Sequence, residues 1–171
     1  MKSIIPRDFL EKINLAKVFR YSLYLIVSLI FQNILFTQIR ILGVCPFALP
    51  AVAVAMGMFE GATWGPLFSL LLGIFADMAF VENSIFFTLM FPIISFAAAF
   101  VSNYYINRRF LAYMGAAILG VLAAGIGQML KTSASDSFSM IMIMTVFLQT
   151  VWSLPFIALA YFPPARFSRL E

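Results

Sequence analysis

The chain has 171 residues, of which 63% are hydrophobic, 16% aromatic and 11% charged, with a net charge of +4 and a mean hydropathy of +1.01. A soluble domain carries about 45–50% apolar and about 25% charged residues, so this apolar excess has no aqueous core to enter and assigns the chain to the membrane. It has no histidine and one cysteine, Cys45, which excludes an intramolecular disulfide, a Cys/His zinc site and any histidine-dependent acid–base scheme.

Residues 1–20 carry Lys2, Arg7, Lys12, Lys17 and Arg20 interspersed with Asp8 and Glu11. No small-x-small cleavage site follows, so this part reads as a cytoplasmic arm, a short helix leading into the first span, and not as a cleaved signal. A spanning helix needs roughly 20 apolar residues, and six such segments are predicted. They cover residues 21–39, 44–59, 64–81, 84–105, 110–130 and 138–162. The second is short and contains Pro46 and Pro50; Pro92 and Pro155 lie inside the fourth and sixth. Cys45, between Val44 and Pro46, reads as a small apolar filler.

The breaks are chemically legible. Arg40 and Gly43 follow the first segment, and Glu60 with Gly61 makes a tight polar turn after the second. Glu82 and Asn83 divide the third from the fourth, and Asn107, Arg108 and Arg109 follow the fourth. The polar run at 131–137, which includes Asp136, is expected to end the fifth segment, and Pro163 with Pro164 the sixth. With the N-terminus inside, nine basic residues (Lys2, Arg7, Lys12, Lys17, Arg20, Arg108, Arg109, Arg166 and Arg169) are cytoplasmic and two, Arg40 and Lys131, are outside. That bias places both termini in the cytoplasm. The charges flank apolar runs, a topology signal and not a nucleic-acid footprint. The domains are therefore an arm at 1–20, a six-span body at 21–162 and a tail at 163–171.

Asp77 is the only charge between Glu60 and Glu82. It ends a row of small residues four apart: Gly61, Gly65, Ser69, Gly73, then Asp77. Residues four apart stack along one helix face, and small side chains let another helix backbone approach. The row is expected either to pack against the chain's own helices or to contact a partner. Asp77 lies in the outer part of its span, about one turn, roughly 6 Å, below Glu82. A carboxylate inside a membrane segment faces protein or water by default.

A matching row, Ala112, Ala116, Gly120, Ala124, then Gln128, runs along the fifth segment. The two rows are expected to pack together, with Gln128 donating a hydrogen bond to Asp77. Glu60 reads as a turn residue favouring the next helix N-terminus, or as a contact for a cytoplasmic partner. Intervening helix puts Glu60 and Asp77 on the order of 25 Å apart, too far to serve one substrate as acid and base. Gln32, Asn33, Gln38, Asn103 and Gln149 are the other intramembrane polar residues; each needs a partner and is expected to tie helices together. No serine nucleophile with its base, phosphate loop or metal-ligand spacing is present, so neither an enzyme nor a cofactor is expected.

The stretch CPFALPAVAVAMGMFEGATWGPLFSLLLGIFAD at 45–77 is a proline-containing apolar helix, a short turn and a G-x-x-x-small-x-x-x-G-x-x-x-D frame. It resembles the rod shape-determining protein MreD family, in which this region usually reads G-F-x-x-G-x-x-x-D. Gly65, Ser69, Gly73 and Asp77 occupy a similar frame, while Pro66 and Ser69 depart from the commonest form. Length, six spans, a short cytoplasmic arm and the arginine pair before the fifth span fit as well. The resemblance implies a non-catalytic protein of the bacterial inner membrane in the cell-elongation machinery. Its partners would be the bitopic protein MreC and, through it, MreB-like filaments and peptidoglycan synthases. The implied fold is an all-α six-helix bundle like the S components of energy-coupling-factor transporters. Such a vitamin-binding S component is the alternative function, with Asp77, Glu82, Asn83, Gln128 and Gln38 toward an outer pocket. The first segment lacks the Ala-x-x-x-Ala pattern typical of S components, which favours the scaffold.

Overall fold

The structure is a computed structural model and describes residues 15–36, 38–39, 43–79, 85–104, 110–135 and 140–167. The turn at Glu82 and Asn83, the outer Arg40, the pair Arg108 and Arg109, the loop residue Asp136, most of the arm and the end of the tail lie outside the described residues.

Among the described residues the regular elements are helices. Helix α1 (Leu15–Ile30) continues as a π-helical turn, Phe31–Phe36. Helix α2 is Leu49–Ala79, α3 Phe86–Tyr104, α4 Phe110–Ser135 and α5 Met140–Phe167. Four stretches are long and apolar enough to cross a membrane: Leu49–Ala79, Phe86–Asn103, Phe110–Thr132 and Met140–Pro164; Val18–Ile34 is a shorter apolar helix. Large apolar side chains cover the outside, among them Leu111, Met78, Leu119 and Phe147. Helices that are apolar inside and out make this a multi-pass membrane protein.

Helix α2 is not straight. Gly61 has φ 79° and ψ −171°, and the chain doubles back there. A Cβ added to Gly65 would lie 2.7 Å from the Gly57 Cα, and the Ser69 hydroxyl donates to the Ala53 carbonyl at 3.5 Å. In a continuous helix residues 57 and 65 would be about 12 Å apart. The element is an antiparallel hairpin with arms at 49–60 and 62–79, turning where Glu60 and Gly61 mark a turn.

The first arm is the centre of the molecule. Every residue from Leu49 to Phe59 is buried. Its 12 residues span about 18 Å, against a hydrocarbon core of about 30 Å. Non-helical backbone at 46–48 precedes the arm, and such backbone is tolerated in a membrane only where protein encloses it. Here its polar groups are met by side chains. Gln32 donates through Nε2 to the Pro46 carbonyl at 2.9 Å and accepts from the Ala48 N–H at 3.0 Å. Ser153 accepts from the Phe47 N–H at 2.8 Å.

Three helix ends lie outside the expected span bounds. Helix α1 begins at Leu15, inside the expected arm, where Leu15, Ala16, Val18 and Phe19 extend its apolar pattern. Helix α4 runs on to Ser135 through the polar run, which contains neither proline nor glycine up to that point. Helix α5 passes Pro163 and Pro164 to reach Phe167. Pro164 has no N–H for the Ala160 carbonyl, its acceptor four residues back. The Tyr24 hydroxyl donates to that carbonyl instead, at 2.8 Å.

Candidate functional site

From Gly65 to Gly73 the row that ends at Asp77 is buried against the chain's own helices. Gly61 supplies the left-handed φ of the turn, a region costly to any residue with a Cβ. Gly65 meets the backbone of Met56 and Gly57, and Ser69 bonds to Ala53. Further out the stripe drifts from the first arm to α3. A Cβ on Gly73 would lie 2.5 Å from the Phe87 carbonyl oxygen and 2.7 Å from the Thr88 Cα.

Asp77 then caps α3. Its carboxylate accepts from the N–H groups of Phe87 and Thr88 at 3.1 and 2.7 Å, and from the Thr88 hydroxyl at 2.7 Å. These amides lie in the first turn of α3, where N–H groups have no acceptor within the helix. A capping side chain normally comes from the residue just before the helix; here it comes from the preceding helix, ten residues away. The anion also complements the positive end of the α3 dipole. Asp77 is half-buried.

Gly57 completes the seam and was missing from the predicted row. A Cβ there would run into the Ser95 carbonyl oxygen. The signal was available, because Gly57 lies four residues before Gly61 in the same register.

The expected bond from Gln128 to Asp77 is not formed, and the two small-residue rows do not meet. Gly120 packs on the first arm and on α3, with a Cβ there 2.9 Å from Val54 and 3.2 Å from Ile94. The rows approach the buried arm from different sides. Gln128 faces α5, in a cleft with Gln149, whereas the adjacent Gly127 faces Phe86 of α3. One residue on a helix is about 100° of rotation, which carries Gln128 off the α3 side.

Glu60 is half-buried at the turn, at the far end of the second arm from Asp77. Among the described residues no group of three or more His, Cys, Asp or Glu could hold a metal. Gln32, expected to tie helices, ties other elements together, joining the turn after α1 to the non-helical segment before α2. Tyr24, Tyr113 and Ser153 tie elements too, without a signal in the spacing. Tyr113 bonds from α4 to the Ala51 carbonyl at 3.3 Å and the Ile157 carbonyl at 3.0 Å.

With the seam consumed internally, what remains open is grooves. One of about 650 Å³ lies between α3 and α4, lined largely by small residues such as Ala97, Ala112, Gly115, Ala116 and Gly120, with Val54 of the buried arm among them. Another, about 380 Å³, lies between α1 and α5 and is lined by Val27, Phe31, Val52, Phe156 and Leu159. A third, between α4 and α5, is smaller and more polar. No family model, curated protein or solved structure matches the chain.

Proposed function

We propose that the protein is a non-catalytic scaffold of the bacterial inner membrane, of the MreD kind, that binds transmembrane helices of the cell-elongation machinery. In this reading six segments cross the bilayer, the two arms of α2 counting separately, in an S-component-like bundle with both termini cytoplasmic. The direct partner is an MreC-like bitopic protein, and MreB-like filaments and peptidoglycan synthases are reached through it.

The observation that carries the proposal is the α3–α4 groove. Small residues allow a helix backbone to come close, which is how helices associate where lipid removes the hydrophobic drive. A Cβ on Gly115 meets nothing within 4 Å, so a larger side chain there costs the free protein little. The vitamin-binding alternative draws on Asp77 and Gln128 converging on one pocket, and they are on different faces. Saturable vitamin binding by the purified protein would favour it.

Gly115→Leu fills the groove from one wall and leaves the internal packing intact. Co-purification of an MreC-like partner is expected to fall by about tenfold, as loss of one close helix contact implies, with an unchanged elution profile for the protein alone. Retention of the partner at wild-type yield would rule the groove out.

A further inference from the structure

The cleft between α4 and α5 differs from the other two in chemistry. It holds about 200 Å³ and is lined by Gln128, Thr132, Thr145 and Gln149, with Gly125 and Val146 at the closest approach of the helices. Neither carboxamide hydrogen-bonds to another described residue. The two hydroxyls donate back to their own helices, Thr132 to the Gln128 carbonyl at 3.1 Å and Thr145 to the Ile141 carbonyl at 2.9 Å. Their oxygens keep lone pairs for an acceptor role.

Depth makes this arrangement informative. Gln149 lies nine residues into the Met140–Pro164 stretch, about 14 Å from its start in a hydrocarbon core of about 30 Å. A carboxamide at that depth is costly if it faces acyl chains. Thr132, at the shallow end, is exposed beside Lys131. Polar groups thus continue from the membrane boundary to the bilayer centre along one cleft. One turn beyond Gln149, Ser153 donates to the Gln149 carbonyl at 2.7 Å and accepts from the Phe47 N–H.

We propose that the α4–α5 cleft is a water-filled pocket, open to the aqueous phase at its Thr132 end, that takes neutral hydrogen-bonding groups while the neighbouring surface of α5 faces lipid. Its volume holds about six waters at roughly 30 Å³ each, and four polar side chains offer the partners that ordered water requires. Among the described residues no charged side chain lines it, so an ion passing them would lose hydration without a counter-charge. The pocket does not depend on the scaffold reading.

The test uses thiol accessibility in sealed membranes, in the full chain with Cys45→Ala. Single cysteines replace Thr145 or Gln149 in the cleft, and Phe147 or Val151 on the outward face, which are 64% and 46% exposed. A small charged methanethiosulfonate reacts with the thiolate, which forms only in water. The cleft positions are expected to react at least about tenfold faster than the outward positions, since the latter sit in hydrocarbon. Two cleft positions keep the test readable if one variant misfolds. Equal or slower reaction in the cleft overturns the proposal, whatever the state of partner binding.

Discussion

Valine at Gly57 or Gly65 is expected to abolish folding to a monodisperse particle in detergent. The Gly65 Cβ would lie 2.7 Å from one backbone atom and 2.9 Å from another across the hairpin, and the Gly57 Cβ would enter the Ser95 carbonyl. Backbone cannot rotate away as a flexible side chain does, so the arms must separate. Overpacking a well-filled core costs about 1–3 kcal/mol even where side chains yield, and here the first arm's contacts with the second arm and α3 are both strained. Alanine at the same positions is expected to lower thermal stability clearly. Gly115→Ala is the control: its Cβ meets open space, and removing a helical glycine gains up to about 1 kcal/mol. Size-exclusion after a heating series ranks the three sites. If Gly65→Val stays as stable as Gly115→Ala, the arms are not in contact.

Asp77→Leu is expected to cost nearly as much. It leaves the Phe87 and Thr88 amides and the Thr88 hydroxyl without their acceptor. Each unsatisfied buried group costs about 1–3 kcal/mol, and loss of a cap alone about 0.5–2 kcal/mol. Asp77→Asn keeps one acceptor oxygen and should fall between leucine and wild type. The graded order of Asp, Asn and Leu in melting temperature separates a cap from a partner contact. A partner-contact residue would leave the isolated protein's stability unchanged and alter only co-purification.

The local marks of this fold were legible where backbone chemistry decides them. Glu60 and Gly61 mark the hairpin turn because a positive φ there needs glycine, and the four-residue row identifies a helix face. Spacing names a face without naming its neighbour. The row was expected to meet α4 and instead meets residues 49–60 and α3, since a second small-residue row on α4 offers the same pattern to any helix. Gln128 illustrates the limit well. A rotation of one residue decides whether it reaches Asp77 or Gln149, and periodicity does not resolve the rotation of one helix against another. The proline pair at 163 and 164 stops a helix by local rules, yet Tyr24, 136 residues before Ala160, satisfies the Ala160 carbonyl that Pro164 leaves. Side-chain caps from distant helices, including that of Asp77, carry no local signature.

The internal seam requires the small-residue row to close against the chain's own first arm. Cysteines at Ala53 and Ser69, in the Cys45→Ala background, test this in native membranes by oxidative cross-linking. The Ser69 hydroxyl reaches the Ala53 carbonyl across the hairpin at 3.5 Å, so the two positions face each other. Rapid cross-linking of this pair, and none between cysteines at Ser69 and Ala116, is the result an internal seam predicts. Cross-linking of Ser69 with Ala116 and not with Ala53 would contradict it and return the row to an α4 contact.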